Sequence, residues 1–220
     1  MRKKKLKPYP KHMTVICEKT RLSNRIKSRD CLTINLKNRK TKKITFIMMN
    51  PSKANRIGMD KAIDWLIQYI QELISVINSA EKITQLGTLH ILNVFPLYVS
   101  ESKKLQGEIN LVKEIIGDEK YEKLEQRNRR VIKNMIKHDT DYLVLAWGDP
   151  PKKMKGSYHQ SQITPILNSI RKTNVPIYIF ATENPTLLTL KNQPRHISRN
   201  LHKIKGLYRC SISESNEILT

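Results

Sequence analysis

Apolar residues in this chain form two kinds of pattern, and the two alternate along the sequence. Four short, nearly unbroken apolar runs occupy residues 44–49, 88–94, 142–147 and 175–180. Runs of this length are typical of strands covered on both faces of a sheet. Between them, apolar residues recur every three or four positions, which predicts helices from about Asp60, over 108–116 and 119–138, and from Ser161 to Lys172.

The alternation of strand and helix predicts an α/β fold with three layers, in which helices cover both faces of a central four-stranded, mainly parallel sheet. Right-handed crossovers would bring the carboxyl ends of all four strands to one rim. Two further strand-like runs, 14–17 and 31–36, predict an N-terminal β-hairpin, and residues 1–13 form a basic arm before it. We therefore expect an extension over 1–43, consisting of arm and hairpin, and an α/β domain over 44–220.

Charge changes this picture most, because 41 Lys and Arg residues face 19 Asp and Glu residues, giving a net charge of +22 over 220 residues. Such an excess attracts polyanions, of which nucleic acid is the usual one. The three cysteines are too few and too scattered for a disulfide framework. No secretory signal and no apolar run of membrane-spanning length is found, so we expect a cytoplasmic monomer with DNA as partner and no membrane association.

Polar residues follow each predicted core strand. In open α/β sheets, ligands bind beyond the carboxyl ends of the strands, so these residues are the candidates for chemistry. The sequence has no Gly-rich phosphate loop, no nucleophile elbow and no acidic cluster able to hold magnesium, and we expect neither a metal nor a cofactor. The rim instead offers groups that bind and orient: Asn50, Ser52, Asn93, Asp149, Asn184 and Thr186, with Arg195 and His196 a short loop away.

Four motifs in order resemble those of the uracil-DNA glycosylase superfamily over roughly residues 44–204. The run 47–52 (Ile-Met-Met-Asn-Pro-Ser) is similar to its strand ending in Asp/Asn-Pro, and 91–93 (Ile-Leu-Asn) to its strand with a base-reading Asn. Residues 143–148 with Lys152 and Lys153 resemble its "LLWG…KK" segment, and 182–188 its "T-x-H/N-P-S-x-L" motif, followed by Arg195-His196-Ile197-Ser198. The same Asn-Pro-Ser and Gln-Pro-Arg-His motifs also resemble a bacterial family known only as a domain of unknown function.

This resemblance implies a DNA glycosylase that flips a base out of DNA and hydrolyses its N-glycosidic bond, leaving an abasic site, plausibly in defence against phage with modified DNA. Asn50 would position water, Asn93 would read the base edge, and either Asn184 or His196 would donate to the departing base. Both Asn50 and Asn184 match the mismatch-specific branch rather than the branch with Asp and His. Iron–sulfur branches need four cysteines, and this chain has three.

The remaining predicted contacts follow from the same resemblance. Phe95 or Tyr98 would stack on the base, although a core position is an equally good interpretation of Phe95. Leu187 or Leu188 would fill the vacated stack, and further DNA contacts would come from Lys53, Lys152, Lys153, Thr186 and Arg195. Ser52 stands where the uracil-specific branch has a Tyr that blocks the 5-position, so the substrate would be a modified pyrimidine, unless residues 54–59 fold back and fill the gap.

Two other functions fit the sequence. The chain could be a non-catalytic DNA- or RNA-binding module in which the basic surface does everything, or its rim could bind a free nucleotide. Release of abasic product from duplex DNA separates the glycosylase from the binding module.

Overall fold

A computed structural model describes residues 6–23, 26–75, 83, 85–197 and 204–220. The first five residues of the predicted basic arm, residues 24 and 25 at the hairpin tip, Ile77 of the first predicted helix and Ser198 lie outside the described residues. The described part has mixed α/β structure with eight strands and four α-helices.

The strands are β1 (Thr14–Arg21), β2 (Lys27–Asn35), β3 (Lys42–Met48), β4 (Leu86–Asn93), β5 (Tyr142–Ala146), β6 (Ile177–Thr182), β7 (Ile204–Ile212) and β8 (Ile218–Leu219). The helices are α1 (Lys61–Ser75), α2 (Leu105–Ile116), α3 (Asp118–His138) and α4 (Gly156–Arg171), with a 3₁₀ turn over Ser102–Lys104. The main helical and core-strand predictions are therefore confirmed, with ends that differ by up to five residues.

All eight strands join one sheet in the order β1-β2-β4-β3-β5-β6-β7-β8. The prediction of a four-stranded, mainly parallel sheet is wrong for the sheet as a whole, since four of its seven strand pairs are antiparallel. The predicted hairpin forms from β1 and β2, and it is part of this sheet because β2 pairs with β4. On the other side, β7 and β8, which were not predicted, extend the sheet beyond β6.

Side chains of one strand alternate between two hydrophobic cores. In β3, Ile44, Phe46 and Met48 belong to the core beneath α1, whereas Ile47 belongs to the core beneath α2, α3 and α4. This period of two places helices on both faces and explains why the strand is apolar without interruption. None of the helices in the described part is long and apolar enough to cross a membrane.

Local signals fix where the elements begin. The Asp60 carboxylate accepts hydrogen bonds from the backbone N–H groups of Ala62 and Ile63, so it caps the N-terminus of α1 and ends the loop that follows β3. At the other end of the sheet, the Asp141 carboxylate accepts from the backbone N–H of Lys43. These bonds hold the start of α1 beside the carboxyl end of β3, where the polar residues of the rim are found.

Candidate functional site

The strands β4, β3, β5 and β6 lie side by side and pair in parallel, so their carboxyl ends meet at one rim. Asn50 follows β3, Asn93 is the last residue of β4, Asp149 follows β5 and Asn184 follows β6. This is the position at which ligands bind in open α/β sheets.

Two neighbouring cavities open along this rim. The smaller, about 410 Å³, lies between the end of β5 and the segment 184–196, and it is lined by Asn184, Thr186 and Arg195 among others. The larger, about 750 Å³, lies between the end of β3 and the start of α1, and Asn50 and Ser52 line it. His196 and Ser102 line both cavities, so together they mark the junction. Sites that bury small ligands commonly have volumes of ~300–1,000 Å³.

Asn50 is held in one orientation. Its side-chain N–H₂ group donates to the carbonyl oxygens of Val99, at 2.6 Å, and Pro51, at 3.1 Å. Because a carbonyl only accepts, these contacts identify the nitrogen and fix the amide. Among the described residues, no donor reaches the Oδ1 oxygen of Asn50. The residue therefore presents a fixed acceptor to a group in the larger cavity.

The segment after β6 is held in shape by Asn184 and Arg195. The Asn184 Oδ1 oxygen accepts from the backbone N–H of Thr186, at 3.0 Å, and from its hydroxyl, at 2.8 Å. The Arg195 guanidinium donates to the carbonyl oxygens of Thr186 and Leu188. These bonds leave the exposed Asn184 Nδ2 as a donor at the smaller cavity, while much of Arg195 is engaged within the segment rather than directed at a DNA strand.

Gly148 lets this segment approach the sheet. Its φ of +77° is rarely adopted by other residues, and an added Cβ would lie 2.8 Å from the Cβ of His196. The Gly148 N–H donates to the Pro194 carbonyl, and the Trp147 Nε1–H donates to the Gln193 side-chain oxygen. The end of β5 thus positions His196 at the junction of the cavities.

Leucines of the same segment differ in exposure. Leu187 and Leu188 are partly buried against the core beneath α2, α3 and α4. Leu190 is fully exposed and lines the smaller cavity. A wedge that enters DNA must be exposed, so the structure offers Leu190 for the part that the sequence assigned to Leu187 or Leu188.

The predicted base contacts on the other side of the rim are more deeply placed. Asn93 is 1% exposed, and Phe95 is fully buried with its ring centroid 5.9 Å from that of Tyr158. Tyr98 is half-buried, with its hydroxyl 3.4 Å from the Cys17 Sγ. Burial raises the pKa of Tyr98. None of the three lines either cavity, so in this arrangement they position other groups rather than contact a base.

The family described as protein of unknown function (DUF1643) matches residues 29–196, which is more than half of the chain and includes both cavities' principal residues. The chain belongs to this family. No curated protein and no solved structure matches the chain. The resemblance to a bacterial family of unknown function is thus confirmed, whereas nothing in these comparisons links the family to the uracil-DNA glycosylases.

Within the family's matched range, three predicted DNA contacts carry free cations. Lys53, Lys152 and Lys153 are exposed, and no acidic partner for them is found among the described residues. Lys53 also lines the larger cavity. Their positions near the rim allow them to meet a phosphate backbone. In the described part of the chain, no three His, Cys, Asp or Glu side chains are grouped so that they could hold a metal ion.

The sequence gave no indication of Arg29, the first residue of the family's matched range. Its guanidinium is buried and forms part of the floor of the larger cavity. Charged residues at 27–30 suggested a polar hairpin tip, but β2 already begins at Lys27 and carries them into the sheet. The available signal was the apolar run that follows at once, which predicts that a strand starting slightly earlier would bury Arg29 and Asp30.

Proposed function

We propose that this protein is a metal-independent DNA glycosylase that hydrolyses the N-glycosidic bond of a modified pyrimidine. The observation that supports this most is the fixed amide of Asn50, whose free Oδ1 faces a cavity next to the one that presents the Asn184 Nδ2. One oriented acceptor for water and one donor for a leaving base are the two groups that this reaction needs most.

Access to the bond requires the nucleotide to leave the stack, at a cost of a few kcal/mol. Lys53, Lys152 and Lys153 would hold the phosphates, and the exposed Leu190 would occupy the space left in the duplex. Because Leu190 lines the smaller cavity, a base displaced by it would arrive at the junction marked by His196.

Cleavage then proceeds by departure of the base. The bond between the sugar C1′ and the base nitrogen breaks, and both electrons stay on the base while the sugar becomes oxocarbenium-like. Asn50 Oδ1 accepts a hydrogen bond from the water whose oxygen bonds to C1′. The proton that this water loses is taken up by the base anion. An amide suffices here because a cationic sugar needs an oriented water more than a deprotonated one.

The departing base carries negative charge that must be stabilised. Asn184 donates through Nδ2, and His196, which lines both cavities, is the second group placed to donate. The structure leaves both assignments open to test by substitution. Asn93 acts indirectly in this scheme, because it is buried and its oxygen is bound by Arg29.

The larger cavity is what favours a modified pyrimidine. Ser52 is small and lines this cavity beside Asn50, and residues 54–59 do not fill the space, which measures about 750 Å³. A base that sits at the junction can therefore extend a substituent at its 5-position past Ser52. A role in defence against phage with modified DNA rests on the resemblance of the motifs, and we expect the protein to act as a monomer in the cytoplasm.

The alternative function is a non-catalytic DNA- or RNA-binding module, which the net charge of +22 favours equally. Formation of abasic sites, detected by strand cleavage after alkali, separates the two. We predict that Asn50→Ala lowers base release by about 100-fold or more, since water is no longer oriented, and leaves DNA affinity within a few fold because phosphate contacts dominate binding.

The matched control is Asn110→Ala, since Asn110 is an exposed amide on α2 that lines neither cavity. It should release base at the wild-type rate. Wild-type release by Asn50→Ala would remove Asn50 from the mechanism, and DNA binding without any abasic product from modified or plain DNA would favour the binding module.

A further inference from the structure

Arg29 is a buried cation without an anionic partner. The residue is 1% exposed, and its guanidinium donates from Nη1 to the Ala54 carbonyl and from Nη2 to Asn93 Oδ1, both at 3.0 Å. Both acceptors are neutral. No carboxylate of the described residues lies within 4.0 Å of the guanidinium, and the adjacent Asp30 pairs instead with Arg127. A buried charge is strongly unfavourable unless it is paired.

Two hydrogen-bond donors at this position also lack acceptors. Arg29 Nε and Asn93 Nδ2 are both buried, and neither has a partner in the described part of the chain. Arg29 occupies the Asn93 oxygen, so Asn93 has only its N–H₂ group left to offer. The Arg29 Cζ lies 5.6 Å from the Tyr98 ring centroid, which offsets part of the charge but satisfies neither donor. The floor of the larger cavity is therefore cationic and made of donors.

Most carboxylates of the cavity wall are already engaged. Asp64 pairs with Lys7 at 2.7 Å, Glu101 pairs with Lys103 and Lys104, and Asp60 caps α1. Lys53 and Lys61 line the wall, and no acidic partner for either is found among the described residues. The charges not already paired thus leave the cavity with an excess of positive charge.

We propose that the larger cavity is an oxyanion site in which Arg29 binds a phosphate or carboxylate group. The anion would supply the acceptors that Arg29 Nε and its surroundings lack, and a planar guanidinium suits such oxygens. Where the proposed function holds, this inference rests on it for its source: the anion is the end of the substituent on the flipped pyrimidine. The other source of the same chemistry is a free phosphate-type ligand.

The first test uses the wild-type protein and inorganic phosphate. In ¹⁵N-edited NMR spectra at constant ionic strength, the Nε–H signal of Arg29 should shift on titration with phosphate and be unaffected by equal ionic strength of chloride. A saturating shift supports the site. An Arg29 signal that stays in place while surface signals move would overturn it.

The second test compares Arg29→Gln with Arg127→Gln by calorimetric titration with phosphate. Both changes remove one positive charge, but Arg127 lines neither cavity. Phosphate affinity should fall at least tenfold in Arg29→Gln and stay near the wild-type value in Arg127→Gln. Equal loss in the two variants would show general surface attraction and overturn the proposal. Should Arg29→Gln not fold, the wild-type titration decides alone.

The third test identifies the source of the anion. DNA with a 5-carboxymethyl pyrimidine should lose its base at least tenfold faster than DNA with the uncharged 5-carbamoylmethyl analogue, and Arg29→Gln should abolish this preference. Equal rates on both DNAs would overturn the substituent as the source. Phosphate binding at Arg29 without base release from any DNA would support the site with a free ligand and count against the glycosylase itself.

Discussion

At the scale of single residues, Gly148 carries more of the site's geometry than its size suggests. It permits the turn after β5 and leaves room for His196, whose Cβ lies 2.8 Å from the position that a Cβ on Gly148 would occupy. A substitution here acts on stability and on the site at once, because the same backbone holds both.

We predict that Gly148→Ala is destabilised by about 1–2 kcal/mol from the positive φ alone, with a further loss from the contact with His196. Base release should fall with it because His196 is displaced from the junction. Urea unfolding and abasic-site assays measure the two effects. Gly107→Ala is the control: it lies in α2 with no atom within 4 Å of the added Cβ, so it should gain up to ~1 kcal/mol. Unchanged stability of Gly148→Ala would contradict this account of the turn.

Sequence reasoning was strong for residues placed by strand ends. Asn50, Ser52, Asn184 and His196 all line the cavities, since an apolar strand that stops at a polar turn defines its own end. It was weak where position depends on partners distant in the chain. Asn93 also ends its strand, but it is buried because Arg29, from β2, packs against it.

At the scale of elements, β7 shows why part of the sheet could not be predicted. Its nine residues include a Gly and three cations, and their burial follows no simple alternation. Strand formation there depends on pairing with β6 rather than on the apolar pattern of β7 itself. By contrast, β3 and β5 are covered on both faces and announce themselves by composition.

The segment 184–196 gives an element-scale prediction through Leu190. We expect Leu190→Ala to slow base release from duplex DNA by about tenfold or more, because nothing fills the vacated stack. Release from single-stranded DNA should change little, since no stack has to be filled. Leu111→Ala, a change at another exposed leucine, is the control on α2. Equal slowing on both kinds of DNA would assign Leu190 to the fold of the segment rather than to base flipping.

The packing of α4 on the sheet predicts a dependence of stability on pH. Burial lowers the pKa of His159 from 6.5 to about 4, and nearby Asp149 only partly opposes this effect. The unfolded chain therefore binds more protons than the folded chain between these values, so stability is present above pH 6.5 and is lost as the pH falls towards 4. The whole loss is on the order of 3 kcal/mol.

Urea unfolding at pH 7 and pH 4.5 tests this with His159→Phe, which suits a site beside Phe95. The loss of stability between the two pH values should be smaller in the variant than in the wild type. Some loss should remain, because burial also lowers the pKa of His90. An identical loss in both proteins would mean that His159 does not titrate in this range.

At the scale of the whole molecule, the charge of +22 governs association with nucleic acid. We predict that the logarithm of the DNA association constant falls linearly with the logarithm of salt concentration, with a slope of about 0.9 per phosphate contact. The measurement is fluorescence anisotropy over a range of salt concentrations. Replacing Lys152 and Lys153 together by Ala should lower the slope by about two contacts at most. A flat salt response would count against every nucleic-acid function considered for this protein.

The central claim is that the two cavities release a modified pyrimidine from DNA. The most direct measurement is mass spectrometry of free bases after incubation of wild-type protein, and of Asn50→Ala, with a panel of plain and phage DNAs. The account predicts a free pyrimidine with a 5-substituent from modified phage DNA, formed by the wild type and lost in Asn50→Ala. Release of uracil alone would contradict the assignment of the larger cavity, and release of no base from any DNA would contradict the glycosylase.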